Sequence, residues 1–159
     1  MDHLYELIHS VLIKSTYQVI ISDPLDLLKG RPLREGMQIK RWVNTATVYP
    51  NTDHVIHHGG YATTLESLWW GIPSIILPSH SEQEGNGRRL EKLNAGKVTL
   101  IAEPPYQQVK FSFHTGEFTM LGGYDFSLTN DLLISTIEQI LADESTRNSA
   151  VKQGERLRT

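Results

Sequence analysis

The 159 residues suffice for one domain with one core, and the apolar (39%) and charged (21%) fractions are those of a globular chain. A net charge of -3 with scattered lysines and arginines leaves no basic footprint for nucleic acid. Cysteine is absent, which excludes disulfides and thiolate metal sites, and no signal peptide or apolar run of membrane-spanning length is present, so the sequence reads as a cytoplasmic domain over 1–159.

Leu4, Leu7, Ile8, Val11 and Leu12 recur at helical spacing, so the chain opens on an amphipathic helix. Gln18 to Ser22 is short and β-branched and predicts a buried strand, followed by a Pro/Gly-punctuated loop from Asp23 to Gly36. Met37 to Val43 alternates as a strand, and Thr45 to Tyr49 predicts a short helix stopped by Pro50. A strand at His54 to Ile56 runs into Gly59-Gly60 and then a helix whose apolar residues are Leu65, Leu68 and Trp69, with Gly71 where a C-cap belongs. Ser74 to Leu77 is the next strand. A polar loop, Ser79 to Asn86, leads to a helix through Arg88, Leu90 and Leu93, and Val98 to Ala102 is the last clear strand.

Strands alternating with helices at this spacing predict βαβ units in a parallel sheet, hence an α/β, Rossmann-like three-layer domain. Residues 103–126 break the pattern as an aromatic insertion. A β-hairpin, Gln108 to Phe113 against Phe118 to Leu121 around Thr115-Gly116, is the expected form. Residues 127–159 are expected to form two C-terminal helices, the first capped by Ser127 or Thr129 and the second starting near Ser145.

The stretch from His57 to Pro78 carries the chemistry. A strand, a tight glycine turn and a helix N-terminus together aim unpaired backbone N–H groups and a positive dipole end at one point, which suits phosphate or diphosphate. The competing reading is that Gly-containing strand-to-helix turns are common and most bind nothing. His58 is likewise either a diphosphate ligand or a packed, satisfied side chain. Glu66 either complements the helix dipole or accepts ribose hydroxyls, and Trp69 and Trp70 suit core or interface better than base stacking. His57, His58 and His80 do not make a metal site, because adjacent strand residues face opposite sides and no carboxylate spacing supports one.

Read outward from the turn, Arg41 to Leu100 resembles the C-terminal, donor-binding half of GT-B-fold glycosyltransferases, with the family-1 UDP-glycosyltransferases and MurG-like transferases as the nearest groups. The matching elements are Trp42-Val43 and the run Asp53, Val55, Ile56, His58, Gly59, Gly60, Thr63 and Glu66. Gly71, Pro73 and Pro78 follow, then Glu82, Gln83 and Asn86, and last Leu93 to Gly96. The resemblance implies that His58, Gly60, Ala62, Thr63 and Thr64 bind the diphosphate, with Glu66 on the ribose. It implies further that Trp42 and Val43 border the base, and that Glu82, Gln83 and Asn86 reach the sugar. The implied ligand is a UDP-sugar, UDP-GlcNAc or a UDP-hexose, with no cofactor and no metal. Asn44 stands where proline is frequent in the family, so the base-side loop is expected to differ.

In such enzymes the acceptor site and, in inverting members, the catalytic base lie in an N-terminal domain that nothing here matches, so no catalytic residue is assigned. The family's first strand and Gly/Ser-containing loop, expected ahead of the helix at Leu4, are also missing. The sequence thus implies the donor-binding half of a hexosyltransferase acting with an N-terminal domain or partner subunit, and inactive alone. The alternatives are a non-catalytic nucleotide-binding or protein-interaction module, and a fragment of a related nucleotide-sugar epimerase or hydrolase.

Overall fold

The computed structural model describes residues 2–100, 106–123 and 127–159. Helix α1 (Asp2–Leu12) leads to β1 (Val19–Ser22), which pairs in parallel with β2 (Met37–Lys40) in the register Val19 with Met37. A single turn of helix, α2 (Thr45–Val48), continues into a 3-10 turn at Tyr49–Asn51. Then come β3 (Val55–His57), α3 (Tyr61–Trp69), β4 (Ser74–Ile76), α4 (Ser81–Lys92) and β5 (Gly96–Val98). These three strands form a second parallel ladder in the order β3-β4-β5. An antiparallel hairpin, β6 (Tyr106–Phe113) and β7 (Gly116–Gly123), precedes α5 (Asn130–Ala142) and α6 (Glu144–Arg158).

Helices cover both faces of the sheets, giving the three layers that the alternating pattern predicts. On one face, Leu7, Val11 and Leu12 of α1 and Leu133, Ile137 and Ile140 of α5 enclose a core with Ile21, Met37 and Ile75. On the other, Ile76 and Val98 pack with Leu90 of α4 and Ala150 of α6. The neighbours Ile75 and Ile76 enter different cores because successive strand residues point to opposite faces. Both are almost fully buried, so β4 is the strand on which the two cores meet.

Several elements differ from the sequence-based expectation. The backbone leaves the β1–β2 ladder after Lys40, so Trp42 and Val43 lie beyond the strand rather than at its end. Helix α4 begins at Ser81, not near Arg88; Glu82, Gln83 and Asn86 are therefore helical rather than in a loop. Its inner face is made by Gln83, Asn86, Gly87 and Leu90, a helical spacing filled mostly by polar and small residues, which apolar periodicity does not register. Strand β5 starts two residues earlier than expected, and the remainder of the expected Val98-to-Ala102 strand, together with residues 103–105 and 124–126 of the aromatic insertion, falls partly or wholly outside the described residues. The hairpin is longer than predicted, pairing Tyr106 with Gly123 through Phe113 with Gly116. Thr129 caps α5, its side chain accepting the Leu132 N–H. The parallel strands form two ladders and not one continuous sheet among the described residues.

Candidate functional site: a glycine turn at the head of helix α3

The site is assembled where β3 and β4 end and α3 and α4 begin. Gly59 takes a φ of +89°, and a β-carbon there would lie 2.7 Å from both the Gln83 carbonyl oxygen and the Ile76 side chain. Only glycine combines that backbone with that closeness. The turn is fixed from two sides. The Gly59 N–H donates to Nδ1 of His57 at 3.1 Å, and the Gly59 carbonyl accepts from Nδ2 of Asn86 at 3.0 Å. Asn86 is 5% exposed. Its amide also donates to Glu82, while its oxygen accepts from Arg89. The Asn86 side chain thus ties α4 to the glycine turn.

Gly60 is the N-cap of α3 and supplies no side-chain cap. The Thr64 N–H closes the first helical bond onto the Gly60 carbonyl at 3.0 Å. The N–H groups of Tyr61, Ala62 and Thr63 therefore have no place in the helical ladder and open at the helix head. Two residues of this helix head stand differently from the expected set of His58, Gly60, Ala62, Thr63 and Thr64. Tyr61 opens the helix and adds an N–H that the ladder does not use. The Thr64 N–H is used by the Gly60 carbonyl, and Thr64 is only 9% exposed.

The His58 imidazole lies over the same helix head. A β-carbon on Gly60 would stand 2.5 Å from Nε2 of His58, so the ring fills the space that a side chain at Gly60 would need. Partial desolvation holds His58 below the ordinary histidine range; the nearby His80 adds to this and Glu82 opposes it. Both the desolvation and the adjacent positive helix end favour the neutral imidazole. His57 points elsewhere, its ring 6.5 Å from that of His58 and edge-on to it. Burial, with a smaller contribution from His58, pushes the His57 pKa down to about 4. It remains neutral, as acceptance of the Gly59 N–H requires. Among the described residues no group of His, Asp and Glu is placed to hold a metal ion.

Glu66 lies in the second turn of α3, not the first, because the helix starts at Tyr61. Its carboxylate accepts the hydroxyl proton of Thr45 at the start of α2, a contact that sequence spacing did not reveal. Asn44 caps α2 by accepting the Ala46 N–H, so the loop after β2 is shaped by an Asn cap where the resemblance leads one to expect proline. That loop presents Trp42 at 82% exposure beside Val43. On α4, Gln83 is buried, and its side-chain Oε1 accepts from the Ser79 N–H and hydroxyl at 2.8 and 2.9 Å. Glu82 is the exposed member of the trio with Gln83 and Asn86.

The comparisons with known proteins agree on one kind of protein. A model described as erythromycin biosynthesis protein CIII-like, C-terminal domain, matches residues 13–112. Demethyllactenocin mycarosyltransferase of Streptomyces fradiae is 33% identical over 72 residues, 45% of this chain and 16% of that protein. Elloramycin glycosyltransferase ElmGT of Streptomyces olivaceus is 33% identical over 67 residues, 42% of this chain and 18% of that protein. Among solved structures, the glycotransferase of kitacinnamycin superposes with a TM-score of 0.76 at 18% identity, over 98% of this chain and 35% of its own. VinC in complex with dTDP superposes with a TM-score of 0.68 at 18% identity, over 95% of this chain and 33% of its own. The chain thus spans about a third of the solved glycosyltransferases it matches, and less of the curated ones. The fold is that of the C-terminal, Rossmann-like half of GT-B enzymes, and the homologues are glycosyltransferases. This chain belongs to the erythromycin biosynthesis protein CIII-like C-terminal domain family.

Proposed function

We propose that this domain holds the nucleotide-sugar donor of a hexosyl-transferring glycosyltransferase, whose acceptor and catalytic base reside in an N-terminal domain or subunit. One observation carries the reading: the neutral His58 imidazole and the open N–H groups of Tyr61, Ala62 and Thr63 meet at the uncapped head of α3. A donor diphosphate placed there accepts from backbone donors that cost no reorganisation, and from Nε2–H of His58. When the bond from the sugar to the diphosphate breaks, the charge left on the nucleotide is met by the same donors and by the helix dipole.

The remaining roles follow from position. Glu66, tied to Thr45, accepts from the ribose hydroxyls and links them to the loop that carries Trp42 and Val43 against the base. Glu82 faces outward from the first turn of α4 and reaches the sugar. Gln83 and Asn86 act through position: Gln83 holds the Ser79 turn, and Asn86 holds Gly59. The nucleotide is a pyrimidine diphosphate. A UDP-sugar, with a hexose or GlcNAc, is the reading of the resemblance; dTDP occupies the VinC structure, and the two bases differ by one methyl group. Calorimetric titration with UDP and dTDP against uridine and thymidine tests the proposal. Diphosphates binding well above their nucleosides support it, and equal binding refutes it.

A further inference from the structure

The Glu66 carboxylate has two oxygens, and the fold already commits one of them. Oγ1 of Thr45 donates to Oε1 of Glu66 at 2.5 Å, the short length of a hydroxyl-to-carboxylate bond. Among the described residues no other donor reaches this carboxylate, so Oε2 stays open. Thr45 and Glu66 are both half-buried, a setting in which water weakens such a bond less than at an open surface.

The pairing also holds α2 in place. This single turn buries none of its four residues, so apolar packing does not fix it against the domain. The Ala46 N–H donates to the Asn44 side chain, the Thr47 hydroxyl to the Asn44 carbonyl and the Thr52 hydroxyl to the Val48 carbonyl; these bonds all close within the segment. The Thr45 hydroxyl instead reaches out to α3. Tyr49, in the 3-10 turn that follows, is buried. Burial, reinforced by the Glu66 charge, holds the Tyr49 hydroxyl above the ordinary tyrosine range, so the phenol stays uncharged within reach of the carboxylate.

We propose that Thr45 sets the specificity of the ribose subsite: by holding Oε1 it fixes the Glu66 side chain and leaves Oε2 to accept from a single ribose hydroxyl. A carboxylate with both oxygens open accepts from both hydroxyls of a ribose, one to each oxygen, and so selects ribonucleotides. A carboxylate with one oxygen taken reads one hydroxyl and tolerates loss of the other. The site therefore takes a nucleoside diphosphate lacking one of the two hydroxyls about as well as the ribonucleotide. Thr45 is a positioning residue that acts through Glu66. A glutamate held in one rotamer before the ligand arrives also gives up less entropy on binding. The inference deepens the nucleotide reading of the α3 head and rests on it.

Calorimetric titration with UDP, 2′-deoxy-UDP, 3′-deoxy-UDP and inorganic pyrophosphate tests it. In the parent, one deoxy analogue binds about 10-fold more weakly than UDP, and the other within about 2-fold of it. Thr45→Val frees Oε1, so both analogues then fall about 10-fold below UDP, while pyrophosphate binding does not change. Thr45→Ser keeps the hydroxyl and restores the one-sided pattern. If Thr45 only held the fold, the valine variant would weaken all three nucleotides alike and keep the parent's ratios, which overturns the proposal. Equal losses for both analogues in the parent overturn it as well. Full binding of both analogues separates Glu66 from the ribose and also overturns it. Failure of UDP and pyrophosphate alike to bind refutes the nucleotide reading itself, and this inference with it.

Discussion

His58 occupies the space that a β-carbon at Gly60 would take, with Nε2 2.5 Å from the ideal position. Gly60 has a φ of -58° and a ψ of 142°, extended backbone open to any L-residue, so alanine there meets no backbone strain. Gly60→Ala should therefore fold with a Tm near the parent's while pushing the imidazole off the helix head. Loss of one charge-assisted hydrogen bond predicts UDP binding weaker by about 1–3 kcal/mol, a deficit shared by His58→Ala. Calorimetry paired with thermal melting checks this; a Gly60→Ala protein that binds UDP normally separates His58 from the diphosphate.

Asn86 gives the opposite signature. Its amide satisfies the Gly59 carbonyl within a buried turn. Asn86→Ala leaves that oxygen unpaired and should cost about 1–3 kcal/mol in urea denaturation. An unchanged denaturation midpoint would show that the α4-to-turn contact is dispensable.

Glu66 and Trp42 separate the parts of the ligand. Glu66→Ala should weaken UDP binding and leave inorganic pyrophosphate unaffected, because the proposal assigns the carboxylate to the ribose and not to the phosphates. Trp42 is exposed, so Trp42→Ala should stay within about 0.5 kcal/mol of parent stability. Its effect should appear instead as weaker binding of UDP relative to pyrophosphate. Equal losses for both ligands in either variant would contradict the assignment.

His57 predicts a pH dependence of stability. Its folded pKa is pushed from the ordinary 6.5 to about 4 by burial. Between these values the unfolded chain binds the extra proton, so the His57 contribution is complete above pH 6.5 and is lost as pH falls toward 4. The full shift corresponds to about 3 kcal/mol. Chemical denaturation from pH 7.5 to 4 should show this decline, and His57→Gln should flatten it. A His57→Gln profile parallel to the parent's would place the titration elsewhere.

How legible all this was depends on what each element buries. The β3-turn-α3 unit was readable because an apolar strand, two glycines and a periodic helix follow one another, and the pattern was specific enough to imply the family. The start of α4 was not. Ser81 to Gly87 is polar and contains two glycines, yet it is helical because Gln83, Asn86 and Gly87 pack against the glycine turn and β4. Trp42 and Val43 continued the alternation of β2, but backbone pairing stops at Lys40. Tyr61, a bulky residue next to two glycines, gave no sign of opening α3, which sets Glu66 in the second turn. The contact of Thr45 with Glu66 joins residues 21 positions apart in sequence, and only the fold brings them together.

The central claim is that the head of α3 receives a nucleoside diphosphate. Its most direct test is a titration of the chain with UDP and dTDP followed by amide chemical shifts. The account predicts the largest shifts at His58 to Thr63, extending to Glu66 and to Trp42-Val43, with thymidine and uridine moving only Glu66 and the Trp42-Val43 pair. A folded chain whose amides at His58 to Thr63 stay unmoved at millimolar diphosphate would contradict it.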